Sequence, residues 1–146
     1  MPNRTYKPRI PSLQNTSLLA RAGIHQDPLS AIQKGFPYSV IENLSKLIGL
    51  EINDIARYAN ITESKLKKCS IDNKFSTKES DCLYSIAAIF EGATDLYNGD
   101  ETKAKAWLTT PAKALDGKEP LELSSTTSGL LAVLNLIGRI ENGVLV

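Results

Sequence analysis

The sequence predicts an all-α fold. Apolar residues recur at three- and four-residue spacing, no stretch alternates at period two, and Ser, Thr, Asn, Asp and Gly stand where such segments begin and end. With 146 residues, 42% of them hydrophobic, the chain is one compact unit or two small ones, and wholesale disorder is excluded. The net charge is +1, so any contact with nucleic acid must come from local clustering of cations. No apolar run approaches the roughly 18 residues of a membrane span, and Pro2, Asn3 and Arg4 are followed by no apolar segment of the kind that marks a secretory signal. Cys69 and Cys82 are too few for a disulfide scaffold, and the lone His25 makes no familiar zinc spacing with them. A reducing cytoplasm is the simplest compartment. No cofactor, metal or membrane partner is expected.

The elements follow in order. Residues 1–30 form a lead interrupted by Pro2, Pro8, Pro11 and Pro28, in which Arg4, Lys7, Arg9 and Arg21 outnumber Asp27. Proline removes backbone donors and fixes φ, so no long helix or central strand fits here. One short helix is expected from Thr16 to Ala22, ended by Gly23. The lead reads either as a partly ordered tail or as a basic arm that touches phosphate or a partner. From Pro37, Val40, Ile41, Leu44, Leu47 and Ile48 share one helical face, with Gly49 just past its end. A second helix carries Ile55, Ala56 and Ala59 behind a cap at Asn53, and a third runs from an N-cap at Thr62 to about Cys69.

Ser76-Thr77-Lys78-Glu79 reads as a capping box, in which the serine hydroxyl accepts from the Glu79 backbone and the Glu79 carboxylate reaches back. It opens the longest helix, with Leu83, Ile86, Phe90, Ala93 and Tyr97 as its buried stripe. Asn98-Gly99 ends that helix, and Asp100 caps the next, which carries Ala104, Trp107 and Leu108. Trp107, like Phe90 and Tyr97, is expected to be a core anchor. Pro111 to Leu115 forms one further turn, closed by Asp116-Gly117, and Pro120-Leu121 a linker over the core. The last helix starts near Thr126 or Thr127. Leu130, Val133, Leu134, Ile137 and Ile140 form one face, while Leu131 and Leu136 point elsewhere, so the helix is expected to be covered on more than one side. These elements divide the chain into the lead (1–30), a helix-turn-helix unit (31–75) and a C-terminal helical unit (76–146).

The helix-turn-helix reading rests on a window that starts at Ile52. Ile55 and Ala56 stand in its fourth and fifth places, where the two helices approach most closely. Asn60 holds the ninth, which needs a left-handed backbone that asparagine tolerates. Ala59 and Ile61 flank the turn, and Leu66 and Cys69 return to the inner side. Thr62, Glu63, Ser64, Lys65, Lys67 and Lys68 are then the outward residues of the second helix of the motif, with Lys74 in the loop beyond. Lysines beside a groove neutralise phosphate, and the residues at the N-terminal end reach base edges. Taken without the motif, the same lysines are an ordinary solvated face. Glu63 opposes phosphate, and the cationic set is small, so binding is expected to need a dimer and to weaken with salt.

The C-terminal half carries Glu79-Ser80-Asp81, Trp107-Leu108 before Pro111, Ala114-Leu115-x-Gly117-x-x-Pro120, Thr126-x-x-Gly129 and Arg139-Ile140-Glu141-x-Gly143-Val144. In their order and spacing these resemble the Xre/MbcA/ParS-type antitoxins of bacterial toxin–antitoxin modules, in particular those paired with RES-domain toxins. The resemblance spans about residues 37–146. It implies a homodimer that represses its own operon through the helix-turn-helix and blocks a toxin with its C-terminal domain. The toxin it implies degrades NAD⁺. The end of the antitoxin would lie at the toxin's active-site entrance, which maps onto Arg139, Glu141, Asn142, Val144, Leu145 and Val146. A stand-alone DNA-binding regulator whose C-terminal half only dimerises is the competing reading. An enzyme is disfavoured, since no nucleophile stands beside a base and no phosphate-cradling glycine loop is present.

Overall fold

A computed structural model describes residues 18–143. The expectations for Arg4, Lys7 and Arg9 and for Val144, Leu145 and Val146 lie outside the described residues. Among these, the helices are α1 (Leu18–Arg21), α2 (Pro28–Lys34), α3 (Ser39–Ile48), α4 (Ile52–Tyr58), α5 (Glu63–Asp72), α6 (Thr77–Leu96), α7 (Glu101–Leu108) and α8 (Thr127–Glu141). Two 3-10 segments, Lys113–Leu115 and Pro120–Ser125, lie between α7 and α8. The described residues contain no strand, only an isolated antiparallel bridge between Ala112 and Lys118. The fold is all-α.

Helix α6 is the axle. The expected capping box starts it: Ser76 Oγ accepts from the Glu79 N–H at 3.1 Å, and Glu79 Oε1 accepts from the Ser76 N–H at 2.8 Å. Its twenty residues bury Leu83, Ile86, Ile89, Phe90 and Ala93, and α1, α2, α3, α7, α8 and the second 3-10 segment pack against it. One continuous core therefore includes residues from both sides of the expected boundary at residue 76, from Phe36 and Ile55 to Leu83 and Ile137.

The start of the chain departs most from expectation. Leu18, Leu19, Ala22 and Ile24 are buried in the same core, so from residue 18 onward the lead is packed structure and not a tail. Helix α2, unforeseen in the sequence, begins within the lead. Asp27 caps it by accepting from the Ser30 N–H, and Pro28 fills a first-turn position. Arg21 is tied to α7 by a 3.0 Å ion pair with Glu101. The lead's apolar residues are too few and too closely spaced to show a period, so composition masked them.

Three smaller differences have local causes. Helix α3 begins at Ser39, and Pro37 stays outside it, its carbonyl accepting from the Val40 N–H at 3.0 Å. Glu51, not Asn53, occupies the N-cap position of α4, and no side chain caps that end. Helix α5 runs to Asp72, three residues beyond the Cys69 suggested by periodicity, because Asn73 supplies the left-handed stop at φ 53°. On α8, Leu136 is buried as expected, but Leu131 is 47% exposed, so the described residues cover only part of that helix. Trp107 and Tyr97 are half-buried against the core.

Gly129 brings the start of α8 against the second 3-10 segment. A Cβ there would collide with the Leu123 carbonyl, which is backbone and cannot move aside. Gly129→Ala is expected to lower unfolding free energy by about 2 kcal/mol or more, read from urea unfolding. An unchanged midpoint would show that the segment can shift.

Candidate functional site

The helix pair α4–α5 has the geometry its sequence window requires. Ile55, Ala56, Ala59, Ile61, Leu66 and Cys69 all face the core. Asn60 adopts φ 60°, the left-handed conformation expected of it, and the Ile61 N–H closes the turn onto the Ala56 carbonyl at 2.8 Å. Thr62 is extended at the N-cap, and its hydroxyl accepts from the Lys65 N–H at 3.3 Å. Helix α4 is braced from behind by the second 3-10 segment and the residue that precedes it. The Tyr58 hydroxyl donates to Glu119 Oε1 at 3.1 Å, and the buried Ser124 hydroxyl lies 3.3 Å from the Tyr58 carbonyl. Burial is the main cause that pushes the Tyr58 phenol up, with the Glu119 carboxylate second, so it stays a donor.

Thr62, Glu63, Ser64, Lys65, Lys67, Lys68 and Lys74 are all exposed. Helical geometry sorts them further. Leu66 and Cys69 point inward, so Ser64, Lys67 and Lys68 point outward, and Ile71, 76% exposed, lies on the same face. Glu63 faces a cleft of about 410 Å³ shared with Asn53, Asp54, Arg57 and Asn60 of the α4 side. Lys65 and Lys74 face the other way, into a cleft of about 460 Å³ that also holds Asp72 and Glu79 and is edged by Lys68.

Glu79 is charged and occupied. Burial raises its carboxyl, but hydrogen bonds from Ser76, the Cys69 thiol and the charge of Lys65 outweigh this and hold it below the usual carboxylate range. Part of Lys65's charge is thereby matched within the protein. Cys69 Sγ donates to Glu79 Oε1 at 3.6 Å, and burial, then the Glu79 charge, push the thiol up to about 11. It is a protonated packing group and not a nucleophile or a ready ligand. Among the described residues no group of His, Cys, Asp and Glu is placed to hold a metal ion.

The far end of the molecule is built on α8. The Thr126 hydroxyl caps it by accepting from the Gly129 N–H at 3.0 Å, and Val133, Leu136 and Ile137 anchor it. Ile137 and Leu134 sit over Gly92 of α6, where the missing side chain lets the helices approach. Arg139, Glu141 and Asn142 are exposed at its last turn. Asn142 Nδ2 donates to the Gly138 carbonyl at 2.7 Å and Gly143 turns the chain at φ 70°. Arg139 lies where a cation complements the unpaired carbonyls of a helix end. Two exposed features escaped sequence reasoning. Ile71 has no periodic signal of its own, and Arg57 is placed by neighbours in its own helix, 3.4 Å from Asp54 and 4.8 Å over the Tyr58 ring.

The described residues thus form an all-helical body, with the helix pair α4–α5 on one element set and the exposed end of α8 on another. Residues 92–143 match the family described as the antitoxin Xre/MbcA/ParS C-terminal toxin-binding domain. The antitoxin Xre of Photorhabdus laumondii subsp. laumondii is 34% identical over 114 residues, 77% of this chain and 77% of that protein. The antitoxin Xre of Yersinia enterocolitica serotype O:8 is 32% identical over 117 residues, 80% of this chain and 79% of that protein. The chain belongs to the Xre antitoxin family of toxin–antitoxin systems, and as such it is not an enzyme. Its partner is a toxin.

The left-handed turn gives a direct check on the α4–α5 geometry. Asn60→Gly is expected to leave stability within a few tenths of a kcal/mol, while Asn60→Val costs about 1–2 kcal/mol. Thermal melting of the two variants separates this from a turn indifferent to φ, for which both would melt alike.

Proposed function

We propose that this antitoxin neutralises an NAD-degrading RES-domain toxin and represses its own operon, acting as a cytoplasmic homodimer. The operator is met by α5, with Lys67, Lys68 and Lys74 neutralising phosphate, Lys65 assisting, and Thr62, Glu63 and Ser64 at the base-facing end. The toxin is met by the end of α8 through Arg139, Glu141 and Asn142, with Val144, Leu145 and Val146 beyond. The observation that carries the reading is the clustering of unmatched charge and exposed apolar surface on α5, within a chain of net charge +1, beside a domain of toxin-binding type. Arginine suits the second surface because its planar fork grips a carboxylate or phosphate with two bonds. No described helix is long and apolar enough to cross a membrane.

Co-expression with the toxin, growth rescue and co-purification test the toxin reading. Arg139→Ala is expected to weaken toxin binding about tenfold and to leave promoter binding intact. Full neutralisation by that variant would reject the α8 end as the inhibitory surface. The double variant Lys67→Glu with Lys68→Glu is expected to abolish promoter shifts at moderate salt and to spare toxin binding. A normal shift by that variant would mean that α5 does not face the duplex, and toxin binding without any operator binding by the native protein would remove the repressor half of the proposal.

A further inference from the structure

We infer that Glu63 is a specificity residue that selects a cytosine in the operator, an assignment that rests on α5 being the duplex-facing helix. Glu63 is the first residue of α5, and the N-terminal residues of the second helix in such a pair are those that reach base edges. Its neighbours are engaged within the protein. The Thr62 hydroxyl accepts from the Lys65 N–H and lies 3.4 Å from the Ser64 hydroxyl. The N-cap role is thus filled by Thr62. The Glu63 side chain is exposed and makes no hydrogen bond or ion pair among the described residues. Arg57 lines the same cleft, where its guanidinium pairs with Asp54 and stacks on Tyr58.

The chemistry narrows what such a group can meet. An ionised carboxylate only accepts hydrogen bonds, and phosphates repel it. In the major groove guanine offers acceptors, thymine an acceptor and a methyl group, and adenine a donor beside the N7 acceptor. Cytosine alone offers an amino donor with no acceptor of its own beside it. A carboxylate at the first position of a helix that presents Lys67 and Lys68 is therefore repelled by most of the duplex and accepted at a cytosine. Lys67, one turn further along α5, carries the compensating attraction to the backbone.

The experiment selects operators from a library randomised over the native promoter site, using the full-length native protein, Glu63→Gln and Glu63→Ala. The native protein is expected to enrich cytosine at one position, with about tenfold weaker binding when that base is changed. Glu63→Gln is expected to enrich adenine at that same position, because an amide pairs with adenine N6 and N7, and Glu63→Ala to lose preference there alone. Unchanged melting temperatures for both variants show that the helix end remains folded. If all three proteins enrich one sequence, with the variants merely tighter on every duplex, Glu63 is a helix-end charge and the assignment fails. If the native protein binds no duplex, the operator reading itself fails, and the two failures are told apart by the native lane.

Discussion

The backbone of Phe36 is the joint on which the architecture turns. Its N–H donates to the buried Ser80 hydroxyl at 2.8 Å, and its carbonyl accepts from the Phe75 N–H at 2.8 Å. Ser80 in turn donates to the Ser76 carbonyl at 2.7 Å. Three parts of the chain meet there: the link between α2 and α3, the exit from α5 and the first turn of α6. An unpaired amide at a fully buried position costs about 1–3 kcal/mol, so the arrangement is tightly specified. Tyr38 stacked on Phe75, with ring centroids 5.7 Å apart, closes the same corner.

From that joint the two surfaces inherit their rigidity. Helix α5 leaves it backward toward the turn at Asn60, and α6 leaves it forward as the support for α8. Neither surface sits on a separate domain with its own core. The bond from Tyr58 to Glu119 adds a second tie, directly between α4 and the segment that leads into α8; the Ser124 hydroxyl, which donates to the Leu121 carbonyl at 2.7 Å, also lies 3.3 Å from the Tyr58 carbonyl. Helix α5 and the end of α8 are thus carried by a single packed body, and a face held this way is preorganised, which limits the ordering cost of any binding.

Electrostatics on α5 are finely divided. The helix carries cations outward, yet Glu79 draws on Lys65, and Asp72 shares the cleft with Lys74. Under the proposed operator reading, a small surplus of charge would give only weak, salt-sensitive attraction to a duplex and leave side chains at the helix tip to decide among sequences.

Much of the fold and part of the site were legible in the residues. The Ser76–Glu79 box, the left-handed Asn60 and the Thr62 cap are local hydrogen-bond and φ requirements, and α6 and α8 show long apolar periods. The resemblance to Xre-type antitoxins was legible for the same reason, since its motifs are helix ends and turns. What could not be read were the features made by distant partners. Leu18, Leu19 and Ile24 became core because α6 offered them a surface, not because their own segment has a period. Leu131 and Ile71 are exposed because no described element reaches them, although each sits in a helix that buries other apolar residues. Local sequence determined where helices begin, turn and stop. Tertiary packing alone decided which apolar residues found a partner, because burial depends on what stands opposite, and that is a property of the assembled chain.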